Sequence, residues 1–72
     1  MKKKFKVVNL DCANCAAKME NAINKIEGVE NAVISFMAQK LSLTAEDERF
    51  DAIVDEAESA CKKIDADCYL ER

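Results

Sequence analysis

The spacing of apolar residues constrains the fold of this chain more than any other feature. Residues 5–8, 32–36 and 41–43 place apolar side chains mainly at every second position, which is typical of strands. Residues 16–26 and 50–64 place them three and four positions apart, which is typical of helices with one buried face. With the tail "CYLER" as a last short strand, the pattern predicts the order strand, helix, strand, strand, helix, strand.

Local signals predict where these elements begin and end. Gly28, the only glycine, follows the first helical stretch and favours a left-handed C-cap, so the first helix is predicted to end there. Asp47 precedes the second helical stretch and is predicted to be its N-cap. The segment "MAQ" is predicted to be the turn of a hairpin. Because no linker separates the elements, residues 1–72 are predicted to form a single domain.

The order of elements favours one closed arrangement. Two strand–helix–strand units in series, each with a right-handed crossover, close most simply into one sheet. We therefore predict an α+β fold: a ferredoxin-like βαββαβ sandwich, with a four-stranded antiparallel sheet and two helices on one face. In this arrangement the loop after the first strand lies beside the loop that precedes the last strand.

Composition favours a soluble domain in the cytoplasm. Half of the 72 residues are hydrophobic and 35% are charged, which is the balance of a small globular domain rather than a disordered segment. No apolar run approaches the roughly 20 residues that cross a bilayer, so no membrane insertion by this segment is expected. The start "MKKKFKVVNL" lacks the apolar core of a signal peptide.

Charge and residue usage disfavour several classes of function. The net charge is −3, and basic residues cluster only at Lys2, Lys3, Lys4 and Lys6, which argues against nucleic acid as the main partner. The chain has no histidine, so general acid–base catalysis near neutral pH lacks its usual residue. We therefore expect a binding domain rather than an enzyme.

The segment "NLDCANC" places two cysteines at the start of the first helix. Unpaired backbone N–H groups and the helix dipole favour negative charge there, so Cys12 and Cys15 should ionise more readily than free cysteine. The spacing lets both sulfurs reach one ion, and soft sulfur ligands favour zinc, cadmium, lead or copper(I) over magnesium and calcium. Cys12 and Cys15 are therefore predicted to be metal ligands.

Asp11 indicates which of these ions fits best. Two thiolates and a carboxylate leave one net negative charge around a divalent ion, but they leave two around Cu⁺. Asp11 is therefore predicted to be a third ligand for Zn²⁺, Cd²⁺ or Pb²⁺, with Cu⁺ as the less favoured cargo. A helix N-cap is the alternative interpretation of this residue.

The remaining cysteines, methionines and loop carboxylates are secondary candidates. Cys61 and Cys68 are predicted to pack in the core, and Met19 and Met37 to be core or surface filler. Three residues of the loop before the last strand could still add a ligand: Asp65, Asp67 and Cys68. Lys18, one turn after Cys15, is predicted either to offset the charge of the site or simply to be a solvated side chain.

Two other uses of paired cysteines fit the sequence less well. A thioredoxin-like thiol–disulfide redox module relies on a cis-proline beside its cysteine pair, and this chain has no proline. A structural zinc module needs a second close pair, and Cys61 and Cys68 are too far apart in sequence.

The cysteine segment and the 21 residues after it resemble a known family. "NLDCANC" followed by "AAKMENAINKIEGVENAVISF" is similar to the heavy-metal-associated domains of metal-transporting P-type ATPases and of free metallochaperones. The family pattern is Gly-Met-x-Cys-x-x-Cys, an alanine, and a helix that ends in Gly-Val. This chain departs from it at Asn9, in place of the glycine, and at Leu10, in place of the methionine that packs inward beneath the site.

The resemblance implies a function in metal transfer. The Asp-Cys-x-x-Cys version is similar to that of zinc, cadmium and lead exporters, whereas copper members usually carry a neutral residue before the first cysteine. It implies a monomeric cytosolic N-terminal domain of a metal-exporting P-type ATPase, with the transport domain or a partner metal-binding domain as recipient. A standalone metallochaperone, which could also carry Cu(I), is the alternative.

Overall fold

The computed structural model describes residues 1–71 and confirms the predicted order of elements. The elements are β1 (Lys2–Val8), α1 (Ala13–Asn24), β2 (Val29–Ser35), β3 (Lys40–Ala45), α2 (Phe50–Ile64) and β4 (Tyr69–Glu71). The four strands form one sheet in the order β2-β3-β1-β4, and all neighbouring strands are antiparallel. This is the predicted ferredoxin-like arrangement.

The core lies between the helices and one face of the sheet. Phe5 and Val7 of β1 are buried, whereas Lys4 and Lys6 are exposed, as the period of two requires. The rings of Phe5 and Phe50 stack with centroids 6.4 Å apart, which joins β1 to the start of α2. The helices contribute a buried stripe to the same core: Ala16, Met19, Ile23, Ile53, Val54, Ala57 and Cys61.

The first helix ends earlier than predicted. Its last residue is Asn24, and Lys25 is the C-cap, with its N–H donating to the carbonyl of Ala22 over 3.2 Å. Gly28 instead shapes the turn into β2, with a φ of +95°. A Cβ at this position would lie 2.8 Å from Cδ1 of Ile53, so glycine also allows α2 to approach.

The prediction that Asp47 caps the second helix is wrong. Arg49 occupies the N-cap position and forms no side-chain capping hydrogen bond. The carboxylate of Asp47 pairs with the amino terminus of Met1, because Met1 lies beside the end of β3 and donates to the carbonyl of Ala45 over 2.7 Å.

The hairpin between β2 and β3 also has a longer turn than "MAQ". β2 ends at Ser35, so Phe36 belongs to the turn and not to the strand, and its side chain is exposed. Gln39 adopts a positive φ of 53°, which completes the reversal into β3. The turn therefore extends over residues 36–39.

Antiparallel pairing brings three connections to one end of the sheet. They are the loop between β1 and α1, the turn between β2 and β3, and the segment between α2 and β4. Neither helix within residues 1–71 is long and apolar enough to span a bilayer.

Candidate metal centre

The loop that carries the cysteines is held by side chains from both neighbouring connections. Asn9 has a positive φ of 64°, and its Nδ2 donates to the carbonyl of Asp67 over 3.0 Å. Gln39 donates through Nε2 to the carbonyl of Leu10 over 2.6 Å. Leu10 itself is fully buried beneath the loop, as expected for the position of the family methionine. The loop is therefore anchored on both sides.

Sequence reasoning missed the roles of Asn9 and Gln39. A signal for Asn9 was present, since asparagine is the residue after glycine that most readily adopts the left-handed conformation, and it stands where the family has glycine. No comparable signal existed for Gln39, because its partner is a backbone carbonyl distant in sequence.

Cys12 and Cys15 lie at the N-terminus of α1, as predicted. Cys12 is the N-cap residue with extended backbone angles, and Cys15 lies in the first turn; both are half-buried free thiols. The N–H of Ala16 donates to the carbonyl of Cys12 over 3.0 Å, which closes the first helical turn. The structure thus places both cysteines at the start of the helix, with the sulfur of Cys12 beside the N–H groups of Asn14 and Cys15.

The two thiols share a proton unequally. The backbone N–H and the thiol of Cys15, together with the N–H of Asn14, lower the pKa of Cys12, although its sulfur forms no capping hydrogen bond of standard geometry. The pKa of Cys15 is raised, chiefly because its thiol donates to the sulfur of Cys12. Cys12 is therefore the thiol that ionises first, as predicted. The prediction that Cys15 also ionises more readily than free cysteine is wrong, because its proton is held in the hydrogen bond to Cys12.

Asp11 is exposed and directly precedes the N-cap. Its interpretation as the helix N-cap is wrong, because Cys12 occupies that position. Within residues 1–71, no three histidine, cysteine, aspartate or glutamate side chains are arranged so that they could hold a metal ion together. The structure thus brings the two cysteines together and leaves the carboxylate of Asp11 in solvent.

The segment before β4 contributes charge to the site. Asp65, the C-cap residue of α2, raises the pKa of both Cys15 and Cys68 by its negative charge, after larger contributions from hydrogen bonding or burial. Its carboxylate accepts the N–H of Asp67 over 3.1 Å. The Asp67 side chain is exposed, and its carbonyl accepts the hydrogen bond from Asn9.

Cys61 and Cys68 are fully buried, which confirms their assignment to the core. Burial raises the pKa of Cys61 to about 12, with smaller contributions from Cys68 and Glu58. The pKa of Cys68 is raised by burial first, and then by the charges of Asp65, Cys15 and Asp11. Cys68 is therefore near the candidate site but behind it, as a neutral thiol.

The remaining candidates divide between core and surface. Met19 is fully buried, whereas the Met37 side chain is 93% exposed in the turn before β3. Lys18 is exposed. Its positive charge makes a small contribution that favours the thiolate form of both Cys12 and Cys15, so it does offset the charge of the site, although the net shift of the Cys15 pKa is upward.

An open groove of about 530 Å³ lies between the helices, away from the thiols. It is lined by Ala22, Ile26, Asp55, Glu56, Ser59, Ala60, Lys63 and Ile64, and by none of the predicted ligands. The predicted metal ligands therefore lie at the loop and not in this groove.

A ferredoxin-like fold with two free cysteines at the start of its first helix defines a class of metal-binding domain. The chain belongs to the heavy-metal-associated domain family, whose model matches residues 4–63. Members of this family are metal-binding modules rather than catalysts.

Relatives in this family include transporters of several metals. The chain is 31% identical over 65 residues to a cadmium, zinc and cobalt-transporting ATPase of Bacillus subtilis (strain 168), an alignment that covers 90% of this chain and 9% of the relative. The chain thus spans less than a tenth of the length of that relative.

Solved structures of similar domains come from proteins that carry different metals. The N-terminal domain of ZntA in its Zn(II) form matches with a TM-score of 0.72 and 33% identity, covering 97% of this chain and 88% of that one. The N-terminal domain of a potential copper-translocating P-type ATPase from Bacillus subtilis, in its Cu(I)-loaded state, matches with a TM-score of 0.78 and 30% identity, covering 97% and 82%.

Proposed function

We propose that this domain binds a soft divalent ion, Zn²⁺, Cd²⁺ or Pb²⁺, through Cys12, Cys15 and Asp11, and passes it on as the cytosolic N-terminal domain of a metal-exporting P-type ATPase. The observation that carries the proposal is the pair of half-buried thiols at the N-terminus of α1, with the pKa of Cys12 lowered. The similarity of the chain to a cadmium, zinc and cobalt-transporting ATPase supports Zn²⁺ and Cd²⁺ as candidate ions.

Capture begins at Cys12. Because its pKa is lowered, this sulfur is the first to be available as a thiolate, and it takes the incoming ion. The bound cation then favours ionisation of Cys15, whose proton leaves to solvent as the second metal–sulfur bond forms. Metal binding therefore releases protons and weakens as the pH falls.

Asp11 completes the ligand set after the ion has arrived. Its carboxylate is exposed and adjacent in sequence to Cys12, so a rotation of the side chain is needed to bring an oxygen to the metal. With a divalent ion the three ligands leave one net negative charge, which Lys18 partly offsets. Three protein ligands leave one position open on an ion that prefers four.

The open position permits transfer by ligand exchange. A thiolate of the recipient enters it, and the sulfurs of this domain then dissociate one at a time. The recipient is the transport domain of the ATPase or a partner metal-binding domain. In this account the domain acts as a cytoplasmic monomer, and nucleic acid has no part in its function.

Removing the carboxylate tests this assignment of ions. Competition with a chelator should show that Asp11→Ala lowers the affinity for Zn²⁺, Cd²⁺ and Pb²⁺ by at least about tenfold and leaves the affinity for Cu⁺ unchanged or higher. Glu27→Ala, which removes an exposed carboxylate at the other end of the sheet, is the matched control and should change neither. Unchanged divalent affinity in Asp11→Ala would exclude Asp11 as a ligand.

A standalone metallochaperone for Cu(I) is the second candidate. The observation that favours it is the similarity to a domain of known structure in its Cu(I)-loaded state. Asp11 favours the first candidate, since it adds a negative charge that a monovalent ion does not balance. The continuation of the reading frame distinguishes the two forms: an ATPase requires several apolar spans after this domain.

A further inference from the structure

The face of the sheet opposite the helices carries a cluster of lysines. Phe5 and Val7 point into the core, so the alternating residues Lys4 and Lys6 point to the opposite face. Lys40 lies directly opposite Lys6 in the pairing of β1 with β3, and its side chain is therefore on the same face. We call this surface the basic sheet face, and its lysines are Lys2, Lys4, Lys6 and Lys40.

These lysines are close together, and within residues 1–71 they form no ion pairs. Neighbouring strands lie about 4.8 Å apart and alternate residues about 6.8 Å apart along a strand, so Lys4, Lys6 and Lys40 form a compact group. In the part of the chain that the structure describes, no ion pair joins any of these lysines to an acidic side chain. Glu71 lies opposite Lys6 and offsets part of the charge, but the face keeps a positive excess.

The acidic side chains of the molecule are concentrated elsewhere. α2 alone carries Asp51, Asp55, Glu56 and Glu58, on the other side of the sheet. The two signs of charge are therefore separated, so the domain presents a basic surface although its net charge is −3.

An exposed apolar tip adjoins the lysines. Phe36 and Met37 lie in the turn that leads to Lys40, and their side chains are 37% and 93% exposed. Surfaces that bind peripherally to membranes typically combine lysines with a short apolar projection of this kind. A sheet that binds nucleic acid instead presents aromatic side chains from its central strands. In this domain the central strand β3 presents Ser42 and Thr44 at the corresponding positions.

We propose that the basic sheet face docks on a bilayer surface that contains anionic phospholipids, with the lysines against the lipid phosphates and the tip at the headgroup boundary. The charge complementarity and the projecting Phe36 and Met37 carry this inference. It goes beyond the proposed function and does not depend on it, because none of these residues belongs to the cysteine loop.

Vesicle binding tests the proposal. Intact apo protein should sediment with vesicles of phosphatidylcholine and phosphatidylserine at least about tenfold more strongly than with phosphatidylcholine alone, and added salt should remove the difference. Blocking the thiols with iodoacetamide should leave this binding unchanged. The experiment therefore distinguishes a failure of the membrane proposal from a failure of the proposed metal-binding function.

Two triple variants with the same change of charge locate the surface. Lys4→Thr/Lys6→Thr/Lys40→Thr should lose the preference for phosphatidylserine, and threonine keeps the strand propensity of these positions. Lys25→Gln/Lys62→Gln/Lys63→Gln, which removes three exposed lysines in or beside the helices, should retain it. Circular dichroism should show both variants folded.

Three results would overturn the proposal. The first is equal binding of wild type to both kinds of vesicle. The second is equal loss of binding in the two triple variants, which would mean that net charge alone matters. The third is displacement of the protein from vesicles by single-stranded RNA at equal phosphate concentration, which would identify nucleic acid as the preferred partner.

Discussion

At the scale of single residues, the four cysteines differ in burial and in acidity. Cys12 and Cys15 are half-buried at a helix N-terminus, where N–H groups lower the pKa of Cys12, whereas Cys61 and Cys68 are fully buried in the core and have raised pKa values. One residue type thus supplies the proposed ligands at the loop and apolar packing beneath it. The raised pKa of Cys61 keeps that thiol neutral in the folded domain at pH 9.0, where free cysteine is half ionised.

Cys61 makes a prediction about alkaline stability. Its pKa is raised from 9.0 to about 12, so the unfolded chain loses this proton at lower pH than the folded domain does. The stabilisation is fully present below pH 9.0 and is lost as the pH rises toward about 12. Urea unfolding between about pH 8 and about pH 11, a range that starts below pH 9.0 and extends into this window, should therefore show a steeper loss of stability in wild type than in Cys61→Ala.

The control for this experiment is the comparison itself, because the two proteins share every other titratable group. Cys61→Ala should also lower the free energy of unfolding at pH 7 by about 1–2 kcal/mol, since it leaves a small cavity. Parallel pH profiles for the two proteins would contradict the assignment of a raised pKa to Cys61.

At the scale of elements, the periodicity of apolar residues was sufficient to predict type and order but not ends. The buried stripes of α1 and α2 and the alternation in β1 repeat often enough to determine the elements. The ends depend on single contacts with distant residues, as Asp47 shows by pairing with Met1 rather than capping α2. Gly28 was correctly singled out, but its role lies in the turn and not in the helix cap.

Gly28 makes a prediction about the contact between this turn and α2. Gly28→Ala should lower the free energy of unfolding by about 1–3 kcal/mol, because alanine is strained at a positive φ and its Cβ meets Cδ1 of Ile53. Chemical denaturation measures the loss. Glu27→Ala, at the exposed neighbouring position, should change stability by less than about 0.5 kcal/mol.

A double variant separates strain from collision. Ile53→Val removes Cδ1, so the loss caused by Gly28→Ala should be smaller in the Ile53→Val background than in wild type. Additive losses would show that backbone strain alone accounts for the requirement for glycine.

At the scale of the whole molecule, antiparallel pairing assembles a loop, a turn and a second loop at one end of the sheet. The sequence predicts the contact between the loops before α1 and before β4, and the hydrogen bond from Asn9 to Asp67 confirms it. It does not predict that Gln39 reaches the same loop, since that contact depends on the longer turn between β2 and β3. The ligand set itself stays a prediction for Asp11, whose carboxylate is in solvent.

The central claim is that Cys12 and Cys15 bind the metal at this end of the sheet. Titration of ¹⁵N-labelled protein with Zn²⁺, followed by NMR, tests it most directly, with Cys12→Ser/Cys15→Ser as the matched variant. Wild type should show shifts that saturate and are concentrated in residues 9–18 and 65–68, and the double variant should show none of comparable size. Equal shifts in both proteins would contradict the claim.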